Sequence, residues 1–458
     1  MFQRIRQILA SILLIGLPFH ALFVTVITRI LVGSNHAPLT ILALWKEAIL
    51  GLLLIIIFIE IIQSKQKWRM DVIDLCILGL CLIASLLFAM HLPATLHQLA
   101  LGFKYDLLPL VLLLLARRVP WNDVWMRKML VMLVIVGCII AVYGLLTLVL
   151  PESFFRLLGY SDMHSLYIPD HPLASFQYIQ STGIRRMQST MSGPNQLGLW
   201  LLLPLSIVVA YFFSHRAHRG FLAGALAIIC TAIFFTYSRT AWVAAALIII
   251  VGVARSVSSR RLVPFIVGIA ASIGLFSVLA IIFVPAVSIR MGSSRDHFLL
   301  PLHALETMIA HPQGIGIGTV GPASNATSEA CVLLRPQDDP LWAKDQPDLC
   351  VFVGTKQVQP LGRSCNCPLL TENWYLQIGV ETGLLGMALF ITLVIFLLVR
   401  MRVNAVSSPV ISPIFHGFLG LSVAALLLHA WEDAAVAYSV WLLVAAATPS
   451  YSRTADLQ

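Results

Sequence analysis

The sequence predicts an all-α polytopic membrane protein with about twelve transmembrane helices. Hydrophobic residues make up 59% of its 458 residues and charged residues only 11%, a composition that excludes a string of soluble domains. Apolar stretches of about 20 residues, long enough to cross a hydrocarbon core of about 30 Å, recur along the chain. They leave two long polar connections, 151–195 and 286–371, with room for a soluble active site.

The apolar stretches divide the chain into three parts. Residues 1–285 contain nine predicted spans and the loop 151–195, residues 286–371 form one large loop, and residues 372–458 contain three spans and a tail. The first span is too long for a signal-peptide core and lacks a small-x-small cleavage site, so we expect it to be retained. The predicted spans are 8–32, 39–62, 72–90, 99–115, 129–150, 196–213, 221–236, 240–254, 262–285, 374–399, 411–429 and 434–447.

Lysines and arginines indicate the orientation of the chain. Short cytoplasmic loops collect these residues, and here they cluster in alternate connections, from Arg4 and Arg6 to Arg400 and Arg402. With twelve spans, both termini and all the clusters are predicted to be cytoplasmic, and both long loops extracytoplasmic. The net charge of +9 then mostly sets the orientation of the chain among the membrane lipids, and we expect no nucleic-acid partner.

The cysteines of the large loop suggest disulfides. Cys331, Cys350, Cys365 and Cys367 form an even set on the oxidising side of the membrane, which leaves three possible pairings. The Cys-x-Cys spacing is tighter than that of an ordinary zinc site, so no metal is expected. We predict an irregular, cross-linked segment at 330–368.

The first part of the large loop has two further patterns. Leu302, Leu305, Met308 and Ile309 fit one face of an amphipathic helix lying against the membrane or the bundle. The sequence HPQGIGIGTVG, which begins at His311, lacks the glycine spacing of a phosphate-binding loop and is predicted to be a turn-rich connection.

Two stretches carry arginines on the extracytoplasmic side. Arg239 lies in a short hairpin, FTYSRTAWVA, where the positive-inside rule does not explain it. Its guanidinium suits a diphosphate through a bidentate contact, and a structural ion pair is the alternative. Arg185 and Arg186 point in opposite directions in an extended segment, so we expect Arg186 to reach the site, near Asn195 as a helix N-cap.

Other charged residues in or beside spans are candidates because burying them in a membrane is costly. Lys104 and Asp106 lie near the extracytoplasmic end of their span, where snorkelling alone could accommodate them. Lys46 and Glu47 are sequence neighbours that point to different faces, so each is expected to need another partner. Glu432 and Asp433 between the last two spans also qualify.

Four stretches in this order resemble the bacterial O-antigen ligase and O-antigen polymerase family (WaaL-like and Wzy-like membrane glycosyltransferases). They are RMQSTMSGPNQLG at Arg186, TYSRTAW at Thr236, LHALETMIAHPQGIGIG at Leu302 and ENWYLQIGVETGLLG at Glu372. The resemblance implies a GT-C-like bundle in the bacterial inner membrane, with 286–371 as the large periplasmic loop. It also implies a donor glycan linked to undecaprenyl diphosphate, transferred with inversion to a glycan or lipid A core acceptor without cofactor or metal, while arginines offset the diphosphate charge.

Glu372 is where the sequence departs from that family. Ligases of the family typically have a His immediately before the Asn of the last motif, whereas this chain has Glu372 before Asn373. A carboxylate can also act as a general base, so the departure favours a polymerase of repeat units over a ligase to lipid A core or a protein hydroxyl. A transporter of lipid-linked glycans is the alternative of another class.

Several of these residues also have structural interpretations. Thr371 is expected to cap the following helix, with Glu372 interacting with the helix dipole. Tyr375 suits the aromatic belt at the membrane surface, and Glu381 is expected to be buried beside Gly383.

The last candidates follow the ninth span in RMGSSRDHF. His297 is the alternative general base, and Arg290 and Arg295 suit either the diphosphate or lipid headgroups. The predicted catalytic residues are thus Glu372, Arg186 and Arg239, and the predicted substrate-binding residues are Arg185, Arg290, Arg295, His297, Lys104, Asp106, Asn195, Asn373 and Tyr375.

Overall fold

The computed structural model describes most of the chain. The described residues are 1–33, 36–64, 70–90, 95–161, 173–179, 183–214, 218–256, 291–329, 331–334, 340–341, 343, 349–354 and 356–450. The predicted span 262–285, Arg290 and the tail after residue 450 lie outside the described residues. Arg295 and His297 lie in a described helix, but their side chains are outside the description.

The described part of the chain is mostly helical. The helices are α1 Phe2–Gly16, α2 His20–Val32, α3 Thr40–Ala43, α4 Trp45–Ser64, α5 Val72–Met90, α6 Leu96–Gly102, α7 Leu108–Ala116, α8 Asp123–Val149, α9 Glu152–Leu157, α10 Pro194–Ser214, α11 Arg219–Phe235, α12 Arg239–Ser256, α13 Met291–Ala310, α14 Gly321–Thr327, α15 Trp374–Ser407, α16 Ile411–Ala424 and α17 Ala434–Ala447. A 3-10 turn, Leu17–Phe19, joins α1 to α2, and a π-helical turn, Phe103–Leu107, joins α6 to α7.

Seven described helical segments are long and apolar enough to cross a membrane. They are Phe2–Val32, Trp45–Ser64, Val72–Met90, Leu96–Ala116, Asp123–Val149, Pro194–Phe213 and Trp374–Ser407. Shorter apolar helices lie at three other predicted spans, as Arg219–Phe235, Ile411–Ala424 and Ala434–Ala447. The protein is therefore mostly helical and suited to a membrane, while the count of twelve spans stays a prediction.

The core of the bundle forms around α10. This helix packs against α11, α12 and α16, and it is the most buried of the seven candidate spans. Elsewhere α15 packs on α5, and α17 on α7. We call the end of the bundle with the N-termini of α10 and α15 the loop end, because the connections 151–195 and 286–371 lead into these two helices.

The opposite end of the bundle is held by buried ion pairs. Arg117 Nη1 lies 2.7 Å from Asp74 Oδ1, and both side chains are fully buried. Arg118 Nη2 lies 2.9 Å from the other oxygen of Asp74, and Arg117 Nε donates to the Thr448 carbonyl over 2.7 Å. These contacts join α5, α7 and the end of α17. Removing one partner of such a pair would leave a buried charge uncompensated.

Helix α15 is interrupted at Gly383, which has φ 76° and ψ 179°. The connection that begins at His311 fills the break: Leu384 N–H donates to the Pro312 carbonyl over 2.9 Å, and Gly316 N–H donates to the Glu381 carbonyl over 3.0 Å. A Cβ on Gly383 would lie 2.5 Å from the Pro312 oxygen, so only glycine fits this close approach. The prediction of a turn-rich connection is confirmed.

The predicted amphipathic helix is present as α13, and its four apolar positions divide between the bundle and the surface. Met308 is 3% exposed and packs with Ala304 against α15. The other three predicted positions, Leu302, Leu305 and Ile309, are 52%, 39% and 67% exposed. Ala304 and Met308 form the buried contact with α15, so these three leucine and isoleucine side chains lie outside that contact.

The end of the large loop contains a small sheet, which corrects the prediction of an irregular segment in an all-α chain. Strand β1, Cys331–Leu334, pairs in parallel with β2, Cys350–Val353, which pairs antiparallel with β3, Lys356–Gln359. Short strands cross-linked by cysteines give little periodicity in sequence, because each strand is only four residues long.

The predicted disulfides are present in one of the three possible pairings. Cys331 bonds to Cys367, and Cys350 bonds to Cys365. Both bonds join the sheet to the segment that leads into Glu372, and Gly321 N–H donates to the Leu369 carbonyl over 2.8 Å on the same segment. The loop thus fixes the chain immediately before the last sequence motif.

Removing the Cys331–Cys367 bond by Cys367→Ser is expected to loosen this segment. The bond closes a loop with a sequence separation of 36 residues, and losing such a bond costs about 2–4 kcal/mol. Limited proteolysis of the purified protein should then cut the loop faster than in the wild type. Cys81→Ala, which removes a free thiol in α5, is the control, and equal cleavage rates in Cys367→Ser and wild type would contradict the expectation.

Candidate functional site

The predicted site residues lie at the loop end of the bundle. Glu372 directly precedes α15, Asn195 lies in the first turn of α10, and Arg239 begins α12. Lys104 lies in the turn between α6 and α7. Helices α10, α12 and α15 each have their N-terminus at this end, where free N–H groups favour negative charge.

Glu372 is held in an unusual backbone conformation. Its φ is 48°, the left-handed region, which costs a residue other than glycine about 1–2 kcal/mol. Asn373 caps α15, because its side chain accepts from Leu376 N–H over 3.0 Å. The expected cap at Thr371 is therefore wrong: Thr371 Oγ1 lies 3.0 Å from His429 Nε2.

Because Asn373 is the cap, Glu372 lies outside the first helical turn, which contains no acidic residue. The helix-dipole interpretation therefore explains little of its position. Backbone contacts instead fix this stretch against the segment after α16, since Trp374 N–H donates to the Ala425 carbonyl over 2.9 Å and Asn373 Nδ2 donates to the Leu426 carbonyl over 2.9 Å.

That segment brings two more carboxyl groups to Glu372, and we call Glu372, Glu432 and Asp433 the carboxyl cluster. Burial raises the pKa of Glu432 to about 8, and the charges of Asp433 and Glu372 add to this effect. Asp433 Oδ1 accepts from Ala435 N–H over 2.7 Å and so caps α17. Sequence reasoning identified Glu432 and Asp433 as charged residues but not as neighbours of Glu372, because 60 residues of chain separate them.

The raised pKa of Glu432 predicts a dependence of stability on pH. Folding shifts this pKa from 4.5 to about 8, so the stabilisation is full below pH 4.5 and is lost as the pH rises through about 8. Glu432→Gln, which stays neutral, should flatten this part of a thermal-unfolding series across pH. Glu306→Gln on an exposed carboxylate is the control, and an unchanged pH slope in Glu432→Gln would contradict the assignment.

The arginines of the first motif diverge, as predicted for an extended segment. Arg186 Nη2 donates to Asn195 Oδ1 over 2.8 Å, and Arg186 Nε donates to the Thr236 carbonyl over 3.0 Å. Arg185 instead donates to the Leu150 carbonyl over 2.9 Å and lies over the Phe155 ring at 5.3 Å. Arg185 therefore serves the packing of α8 and α9, and Arg186 faces the hairpin.

The hairpin contacted by Arg186 is the one that leads to Arg239. Thr236 follows α11 at the start of this hairpin, Tyr237 has φ 52°, and α12 begins at the half-buried Arg239. Asn195 is the second residue of α10 and accepts from Arg186, so the expected N-cap role of Asn195 is wrong. The two predicted catalytic arginines thus belong to one packed unit.

A second charged group, Lys46, Glu47 and Lys104, lies beside the carboxyl cluster, and we call it the lysine cluster. Lys104 Nζ lies 2.9 Å from Glu47 Oε1, and Lys46 Nζ lies 3.5 Å from the same oxygen. Lys46 and Glu47 therefore meet, contrary to the expected divergence, although Lys46 also lies 2.8 Å from His20 Nε2. Lys46 and Asp433 are close enough to interact electrostatically.

Two predicted substrate-binding residues have structural contacts instead of open surfaces. Tyr375 OH donates to the Ser422 carbonyl over 2.9 Å. Asp106 is 4% exposed and accepts from Gln377 Nε2 over 2.9 Å. By contrast, the Lys104 side chain is 29% exposed, and its Nζ pairs with Glu47.

Within the described residues, one group has the spacing of metal ligands: Glu329, Cys350 and Cys365. The two sulfurs are joined in a disulfide, so they do not provide the thiolates that a zinc site needs. The loop-end chemistry consists instead of carboxyl groups of differing proton affinity beside fixed cations.

These features define a class of protein, a mostly helical one suited to a membrane, with carboxyl groups and cations gathered at one end of its helices. No family model matches the chain, and no curated protein matches it. The resemblance to O-antigen ligases and polymerases therefore rests on the four sequence stretches alone.

Proposed function

We propose that the protein is a metal-independent glycosyltransferase of the bacterial inner membrane. It polymerises O-antigen or exopolysaccharide repeat units carried on undecaprenyl diphosphate, at the periplasmic face and with inversion. The proposal includes a GT-C-like bundle of about twelve spans with both termini in the cytoplasm. The observation that carries it is the position of Glu372, beside Glu432 and at the same end of the bundle as Arg186 and Arg239.

In the proposed reaction, the Glu372 carboxylate takes the proton of an acceptor hydroxyl. The hydroxyl oxygen forms a bond to the anomeric carbon of the donor, and the bond from that carbon to the phosphate oxygen breaks. The diphosphate leaves with the electron pair. Arg186 and Arg239 offset its growing charge, because guanidinium groups bind phosphate oxygens in a bidentate manner. Lys104, which is half-buried and paired with Glu47, adds a third cation.

Glu432 supports Glu372 as the base. A carboxyl with a pKa of about 8 is largely protonated at neutral pH, and its neutral form removes repulsion from the neighbouring Glu372. Two carboxyl groups in different environments can thus hold different protonation states. Glu372 then accepts the proton without a second charged carboxylate at Glu432 beside it.

The experiment that tests the function is reconstitution with a lipid-linked repeat unit. The purified protein in lipid vesicles should convert single units into longer chains, with release of undecaprenyl diphosphate. In cells, deletion should leave lipid A capped by a single repeat. A bare lipid A core would instead identify a ligase, and no chain growth in vesicles would overturn the polymerase.

One observation favours a second function, the transport of lipid-linked glycans. Discontinuous helices are typical of carriers, and α15 is discontinuous at Gly383. Vesicles that contain the protein and a fluorescent lipid-linked glycan distinguish the two functions. Movement of the glycan between leaflets without lengthening would support a carrier.

A further inference from the structure

Two carboxyl groups meet inside the bundle, away from the carboxyl cluster. Asp106, in the turn between α6 and α7, is 4% exposed, and Glu381, two residues before the break in α15, is 0% exposed. The expected burial of Glu381 is confirmed. The two side chains lie close enough for a single proton to join them in a hydrogen bond.

Each carboxyl group uses one oxygen for other partners. Glu381 Oε1 accepts from Gly318 N–H over 2.9 Å and from Val320 N–H over 3.1 Å. Asp106 Oδ1 accepts from Gln377 Nε2 over 2.9 Å. These contacts orient both groups and attach the glycine-rich connection to α15.

The remaining oxygens are buried without a donor. Among the described residues, Asp106 Oδ2, Glu381 Oε2 and Gln377 Oε1 have no hydrogen-bond partner. A buried polar atom without a partner is costly, and two carboxylates in contact cannot both be charged in a dry interior. The pair therefore needs a positive ligand.

A proton satisfies this geometry better than a metal ion. One proton converts the contact into an O–H···O⁻ hydrogen bond, which is short and strong. Calcium and magnesium bind six or more oxygens, whereas the three oxygens left without donors here are Asp106 Oδ2, Glu381 Oε2 and Gln377 Oε1. The neighbouring titratable side chain, Tyr105, interacts electrostatically with Asp106. In its protonated form Tyr105 is neutral and adds no charge to the pair.

We propose that Asp106 and Glu381 form a proton-binding site that fastens the glycine-rich connection to the broken helix α15. The bound proton lets Glu381 keep both backbone N–H groups of the connection while it contacts Asp106. When the proton leaves, two buried negative charges repel each other and the connection loosens. The inference rests on these contacts and does not depend on glycosyl transfer.

Amide substitutions test the shared proton. In Glu381→Gln, the amide oxygen still accepts from Gly318 and Val320, and the amide N–H donates to Asp106. In Asp106→Asn, the amide oxygen still accepts from Gln377, and the amide N–H donates to Glu381. Each single variant should melt within about 2 °C of the wild type near neutral pH and should lose less stability at alkaline pH. The double variant places two amide donors face to face, so it should melt several degrees lower than either single variant.

Infrared spectroscopy of the wild type tests the proton directly and does not require a variant to fold. A C=O band of a protonated carboxyl, shifted in D₂O, should persist at neutral pH in a Glu432→Gln background, which removes another carboxyl whose pKa is raised by burial. The band should disappear in Glu381→Gln.

Three results would overturn the proposal. The first is absence of the carboxyl band at neutral pH. The second is a loss of stability in Glu381→Gln as large as that in Glu381→Ala. The third is stabilisation of the wild type, but not of Glu381→Gln, by sodium over choline, which would assign the site to a monovalent cation.

Discussion

Glu372→Gln is expected to stop the extension of polysaccharide chains. The amide has the size of the carboxyl group but does not accept the proton of the acceptor hydroxyl, and loss of a general base lowers the rate about 10²–10⁴-fold. On a gel, the polysaccharide ladder should collapse to single-repeat material. With purified protein, kcat should fall while KM for the donor changes little, since the donor contacts assigned to the arginines remain.

The control is Glu306→Gln, which makes the same chemical change on an exposed carboxylate of α13. Both variants must reach the membrane at the wild-type level. A full ladder in Glu372→Gln would exclude this residue as the general base. It would leave Glu372 as a structural residue before the Asn373 cap and make His297 the candidate base.

Arg186→Ala is expected to have the second-largest effect. Removing one group that stabilises developing negative charge costs about 10²–10³-fold in kcat, and Arg186→Lys should restore only part because lysine lacks the planar fork. If Arg186 and Arg239 bind one diphosphate, the double variant should lose less than the product of the single effects. The measurement is the rate of chain extension in vesicles.

Arg156→Ala is the matched control for the arginine series, because Arg156 is an exposed residue that pairs with Glu152 within α9. Thermal unfolding must accompany the kinetics, since Arg186 also joins Asn195 to the Thr236 carbonyl. Wild-type rates in Arg186→Ala, with normal folding, would remove this arginine from the proposed mechanism.

The sequence was most informative where a local rule applies. Apolar length located the helices, and the even set of loop cysteines indicated disulfides. The pairing of Cys331 with Cys367 was not predictable, because it depends on a sheet whose strands are too short to show a period. The glycine spacing after His311 excluded a phosphate loop but did not reveal the break at Gly383 that this stretch fills.

The site was predictable only in part, for a similar reason. Motifs identified Glu372 and the arginines as separate residues on separate helices. The nearness of Glu432 to Glu372 comes from backbone contacts between the start of α15 and the segment after α16, such as Trp374 N–H to the Ala425 carbonyl. The position of the cap was also not predictable from residue type alone. Asn373, two positions after Thr371, accepts the N-cap hydrogen bond that was expected of Thr371.

The break at Gly383 also changes how α15 responds to the bilayer. A continuous transmembrane helix that tilts to match a thicker or thinner membrane carries its whole length with it. Here Gly316 N–H donates to the Glu381 carbonyl, so the short segment that follows Glu372 is anchored to the loop, and the long segment is attached to the loop only through its first residue, Leu384, among the backbone bonds at the break. The long segment after Gly383 can therefore tilt with membrane thickness while Glu372 keeps its place. Lipid composition should consequently alter the orientation of α15 more than the position of the carboxylate.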